Sequence, residues 1–125
     1  MTPMILDYLD FDYSEDGDQI GSFDALASVA PAQLAAVQAE IETVLAWAHA
    51  QFPEGPGVVG DGADWDVDLQ SLREYSVADS LRYDPVQRRL FAEAGTAGAP
   101  RHTLSLSISG TEAFCHAFRD AFEPG

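Results

Sequence analysis

The chain contains no lysine, only one cysteine and only three histidines. Nowhere does it assemble the roughly 20 consecutive apolar residues that a membrane-spanning helix needs. Six arginines stand against 21 aspartates and glutamates, giving a net charge of −15. Nucleic acids and anionic membranes bind cationic side chains, so neither is an expected partner. A single thiol, Cys115, excludes an intramolecular disulfide. A small domain that needs no such staple suits a reducing cytoplasm. The N-terminal run has no basic segment, and Asp7 ends its apolar stretch after a few residues, so no secretory signal is expected. Glycine-rich phosphate loops and Gly-x-Ser-x-Gly are both missing. The sequence therefore names no reaction, and no cofactor is expected. Nineteen alanines, with arginine used in place of lysine, fit the composition of a GC-rich bacterial genome.

What is present is enough for one domain. The 125 residues are 46% hydrophobic and 10% aromatic, which separates the chain from disordered sequences. Residues 4–13 interleave aromatic and aliphatic side chains with Asp and predict a strand. A turn follows over 14–18, where Gly17 is free to take a positive φ, and residues 19–29 return as a second strand, completing a hairpin. Residues 31–52 predict a helix: Pro31 suits its first position, and Leu34, Val37, Ile41, Val44, Leu45, Ala48 and Phe52 form one apolar stripe. The Gly- and Pro-rich stretch 53–63 is a loop.

Residues 64–70 alternate as a strand, with Trp65, Val67 and Leu69 facing in; the phase fails near Leu72, predicting a bulge or an end. Residues 80–84 and 89–92 flank Asp84-Pro85 as a short hairpin, and 93–100 reads as a flexible loop. Residues 102–109 alternate cleanly. A final helix follows, with Ser109 as its cap, Glu112 reaching back, and Phe114, Phe118 and Phe122 as its buried stripe. The order strand, strand, helix, strands, helix predicts an α+β two-layer sandwich. It has one mainly antiparallel sheet of about five to six strands and both helices on a single face.

Charge is laid out unevenly. Residues 1–72 hold 14 acids and no base, whereas residues 73–125 hold seven acids and six arginines. Alternation puts Asp10 and Asp12 on one row, and Asp64, Asp66 and Asp68 on another; neighbouring strands would merge the rows into one solvent-facing patch. Like charges repel across a sheet, and a long-range negative field either keeps a protein soluble or steers a cationic partner toward it. The five aspartates are thus the candidate binding residues, and a basic protein the candidate partner.

Other clusters yield bland readings. Asp12, Ser14, Asp16 and Asp18 resemble the first half of a calcium loop, but Phe23 stands where a bidentate Glu is required, so a solvated turn is expected. Asp64, Asp66 and Asp68 are spaced too widely along a strand for one ion. His49, His102 and His116 lie in different elements with no ligand-spaced partner. Cys115 and His116, adjacent on a helix, diverge, so Cys115 is expected in the core. No metal site follows. The leading expectation is an acidic cytoplasmic binding protein, of inhibitor or immunity type, that covers a basic protein surface. Two alternatives stand beside it: self-association through an edge strand or the Ser/Thr face of 103–109, and a small-molecule pocket lined by Trp47, Phe52 and Trp65.

Overall fold

The computed structural model describes residues 4–122; residues 1–3 of the N-terminal run lie outside it. Strands β1 (Asp12–Glu15) and β2 (Gly21–Val29) form the first hairpin. Helix α1 (Pro31–Gln51) follows, then β3 (Trp65–Glu74), β4 (Ser80–Asp84), β5 (Arg89–Glu93), β6 (Arg101–Gly110) and helix α2 (Glu112–Phe122). The main sheet has four strands in the order β1-β2-β6-β3, each antiparallel to its neighbour. The fold is α+β, as the alternating patterns predict.

Apolar alternation decides which sheet face is covered. Phe23, Ala25 and Ala27 of β2 and Leu104, Leu106 and Ile108 of β6 are buried on one side, paired across the two strands. Val37, Ile41, Val44 and Ala48 of α1 and Phe114, Phe118 and Phe122 of α2 complete the same core. Both helices therefore lie on one face. Two glycines let α2 come close. Gly21 and Gly110 pair across β2 and β6, and a Cβ at either would overlap α2 side chains, Cys115 or Phe114. Around Phe114 the ring of Trp65 stacks, that of Trp47 meets it edge-on and those of Phe52 and Phe118 lie tilted, with centroids 5.1–6.1 Å away. Trp47 also meets Phe52 edge-on at 6.3 Å.

Several local expectations change. Residues 4–11 are not a strand, and β1 begins only at Asp12. The backbone N–H groups of Asp7, Tyr8 and Leu9 instead converge on the Glu40 carboxylate of α1, at 2.9–3.2 Å. This draws Leu9 into the core, while Phe11 meets Phe118 edge-on at 5.0 Å. In the β1–β2 turn the left-handed residue is Gln19 (φ 65°) rather than Gly17. There the Asp16 carboxylate accepts from the N–H groups of Asp18 and Ile20 and fixes the turn. Thr111, not Ser109, caps α2: its hydroxyl oxygen accepts from Phe114 N–H at 3.3 Å, while Ser109 stays in β6. β3 passes Leu72 in unbroken register with β6 to Glu74. The pattern fails there because the uncovered sheet face tolerates an exposed Leu.

The remaining two strands leave the main sheet. β4 and β5 form a separate two-stranded unit, and the segment 93–100 is not a free loop. Val77 bridges Ala97, Gly98 N–H donates to the Ser76 carbonyl and Gly95 N–H to the Asp79 carboxylate. β3 and β6 thereby continue outward as one ribbon that ends at the Asp84–Arg89 turn. From Glu74↔Arg101 to Val77↔Ala97, and again to Ser80↔Glu93, the returning strand spends one residue more than the outgoing one. Such bulges increase twist and carry a ribbon away from its sheet.

Candidate functional site

Among the described residues, none covers the sheet face opposite the helices. On it, register builds a transverse row: Asp12 opposes Asp24, Asp24 opposes Ser107, and Ser107 opposes Asp68. Strands sit roughly 5 Å apart, so Asp12 and Asp24 are near neighbours and Asp68 stands roughly 10 Å from Asp24. The Ser107 hydroxyl donates to Asp24 Oδ1 at 2.5 Å, a short charge-assisted bond. The Gln70 amide donates to Asp68 Oδ2 at 3.1 Å. Both carboxylates keep oxygens turned to solvent, and Asp10, Asp12, Asp24 and Asp68 are all exposed.

These four carboxylates surround a shallow depression of about 450 Å³ whose floor includes Leu26, Ser105 and Ser107. Its lining contains no Arg, Lys or His. Leu26 is 64% exposed. Farther along the face Leu72 is exposed as well, opposite Thr103. At the far end Arg101 crosses to β2 and donates to the Ser28 hydroxyl at 2.7 Å and to its carbonyl at 2.9 Å. The face thus grades from carboxylates through hydroxyls and leucines to the Arg101 guanidinium, which Glu74 opposes in register.

The two predicted rows do not lie on neighbouring strands. β1 and β3 are the outer strands of the sheet, with β2 and β6 between them. Asp10, Asp12 and Asp68 still meet round one depression because the rows run across the sheet. Asp66 is partly buried and lies one register step away, opposite Ser109, where its Oδ1 accepts from Val67 N–H. Asp64 precedes β3, and its carbonyl accepts from Thr111 N–H at the start of α2. Neither lines the depression. Asp24 was missed. Alternation within 21–29 puts it on the polar side of β2, but its importance depends on β2 lying beside β1, and sequence does not declare strand order.

A second polar cluster lies at the α2 end of the β1–β2 hairpin. Tyr13, Glu15, Glu112, Cys115, His116 and Arg119 border a depression of about 210 Å³. The Arg119 guanidinium lies over the Tyr13 ring, 3.9 Å from its centroid. Burial raises the Cys115 thiol above its ordinary pKa, as it does the Tyr13 phenol, where a Cys115 or Glu15 negative charge would add to the effect. A nucleophilic thiol needs the opposite shift, so this cluster offers no activated cysteine. Cys115 lies in the core as expected, 5% exposed, while His116 is exposed. Among the described residues no group of three or more His, Cys, Asp or Glu side chains has the geometry to hold a metal ion. None of their helices is long and apolar enough to cross a membrane.

No family model, curated protein or solved structure matches the chain. The functional reading therefore rests on the geometry of this chain alone. That geometry is an open, carboxylate-lined face with apolar contact points, held on a rigid antiparallel sheet.

Proposed function

We propose that the chain is a binding protein whose uncovered sheet face seats a cationic patch of a partner protein, in the manner of an inhibitor or immunity-type factor. The observation that carries this reading is the ring formed by Asp10, Asp12, Asp24 and Asp68 around a depression lined by no basic residue. Like charges directly opposed across strands cost stability, and Asp12 faces Asp24 in this way. Leu26 and Leu72 supply exposed apolar contacts on the same face. Carboxylates beside isolated apolar anchors suit a protein interface, where charge steers encounter and desolvated contacts hold the complex. The net charge of −15 disfavours nucleic acid or an anionic membrane as the partner. The buried free thiol of Cys115 agrees with a cytoplasmic setting.

The test is affinity capture from the native host at low salt, followed by mass spectrometry, with wild type beside an Asp24→Asn/Asp68→Asn variant. The reading predicts a basic protein retained by wild type and lost from the variant. Capture of the same proteins by both, or of no basic protein, contradicts it.

A further inference from the structure

The main sheet has an open edge at β3. That strand pairs with β6, and no strand of the described residues lies beyond it. Its hydrogen bonds show which residues face outward. The Asp64 carbonyl accepts from Thr111 N–H on the β6 side, whereas the Trp65 carbonyl accepts from Gly57 N–H on the other. In an antiparallel strand successive residues alternate between the two sides. Val67, Leu69, Ser71 and Arg73 therefore turn their N–H and carbonyl groups outward. Val67 N–H is taken by the Asp66 carboxylate. From Leu69 to Arg73 every residue is exposed, and the outward groups have no strand to pair with. The opposite edge, β1, is only four residues long, against ten for β3.

An apolar groove lies beside this edge. α1 packs over β2 and β6 and leaves the helix side of β3 half covered. Leu106 is buried, yet Leu69, its partner in register, is 50% exposed. Ile41, Leu45, Leu69 and Leu104 line a cleft of about 550 Å³ between α1 and β3, with Glu42 and Ser71 also on its walls.

The geometry points to strand addition: an extended segment of a partner protein pairs with β3 from Leu69 to Arg73 and sends alternate side chains into the groove. In this mode main-chain hydrogen bonds give affinity and pockets for alternate side chains give specificity. Segment residues opposite Leu69 and Ser71 share the helix side and enter the cleft, so they are apolar. Segment residues opposite Gln70 and Leu72 share the other side with Asp66, Asp68 and Glu74, so they are cationic. Asp68 is exposed and gives only Oδ2 to the Gln70 amide. Glu42 is exposed as well and adds a carboxylate at the groove. The base within the strand, Arg73, lies near its far end over the Tyr75 ring, 5.8 Å from the centroid. The segment thus alternates lysine or arginine with apolar residues. A second copy is disfavoured by the same carboxylates. Pairing two β3 edges would set Asp66, Asp68 and Glu74 of both chains on one face, between molecules of net charge −15. The inference rests on the function proposed above for the sign of the partner's charge, and adds where and how the partner is held.

The probe is a blocked peptide of alternating lysine and valine, as long as β3. It is titrated to about 1 mM at low salt, where its like charges oppose self-pairing. Bound peptide should slow amide exchange at Leu69, Ser71 and Arg73 at least about tenfold. An alternating aspartate and valine peptide should not bind. N-methylation of the lysine–valine backbone removes its donors and keeps its charge, and should weaken binding at least about tenfold. Ser71→Pro deletes an N–H outside the β6 ladder, a change that edge strands tolerate, and should weaken binding as much. Glu42→Arg, at an exposed groove residue, is the substitute if that variant is poorly folded. The proposal is overturned if the lysine–valine peptide does not bind, if its N-methylated form binds equally, or if the three amides gain no protection. It is also overturned if wild type dimerises and that contact protects the same amides, since a second copy would then be the occupant. Binding that survives N-methylation but is lost in Asp24→Asn/Asp68→Asn sinks the edge and leaves the acidic-face reading standing. Normal peptide binding with no basic protein captured from the host supports the edge and sinks that reading.

Discussion

A methyl group at position 110 would overlap the Phe114 ring, and that ring is fully buried among Trp47, Phe52, Trp65 and Phe118. It has nowhere to swing. Gly110→Ala should therefore destabilise by about 1–3 kcal/mol, the usual cost of overpacking, read as a lowered midpoint in urea. An unchanged midpoint would show that α2 sits farther from the sheet than described. Cys115, across the strand pair, makes a pH prediction. Burial raises its thiol pKa in the fold, so the folded state holds that proton more tightly than the unfolded chain. Its contribution is complete below the ordinary thiol pKa of about 8.5 and is lost as pH rises through the higher folded value. The Tyr13 phenol, also raised by burial, acts in the same direction at higher pH. Thermal melts should fall from about pH 9 upward, and less steeply in Cys115→Ala. A melting temperature indifferent to alkali would contradict the burial of the Cys115 thiol.

At the scale of elements, α2 is held by its cap and the N-terminal segment by a clamp. Thr111→Ala should cost about 1 kcal/mol, whereas Ser109→Ala should cost far less, since Ser109 remains in β6. Equal losses would return the cap to Ser109. Removing the Glu40 carboxylate in Glu40→Ala should accelerate amide exchange at Asp7, Tyr8 and Leu9 by about tenfold or more, because those N–H groups lose their acceptor. Unchanged exchange would mean that something else holds the segment. These two cases also mark how far sequence could be read. α1, β6 and α2 were legible because each has one covered face, and burial imposes a period of 3.6 or 2. Residues 4–11 misread as a strand because their alternation is real, yet their N–H groups are captured by a residue 31–33 positions away. Strand order has no local signature. That is why Asp12 and Asp68 were recognised as candidates, while Asp24, which joins them through β2, was not.

On the scale of the whole molecule, charge and shape divide the labour. The basic residues begin only at Arg73, and half of them travel out on the β4–β5 arm. The sheet face bearing Asp10, Asp12, Asp24 and Asp68 has only Arg101 near its far end. Exposed charges are screened over roughly 10 Å at 0.1 M salt, and long-range charge acts chiefly on the rate of encounter. The most direct measurement is therefore the association rate constant of the captured partner as ionic strength increases, for wild type and for Asp24→Asn/Asp68→Asn. Docking on the acidic face predicts a rate that falls steeply with salt in wild type, and a slower, flatter profile in the variant with little change in folding stability. A rate indifferent both to salt and to these two substitutions would leave the carboxylates as a solubilising surface and contradict the account.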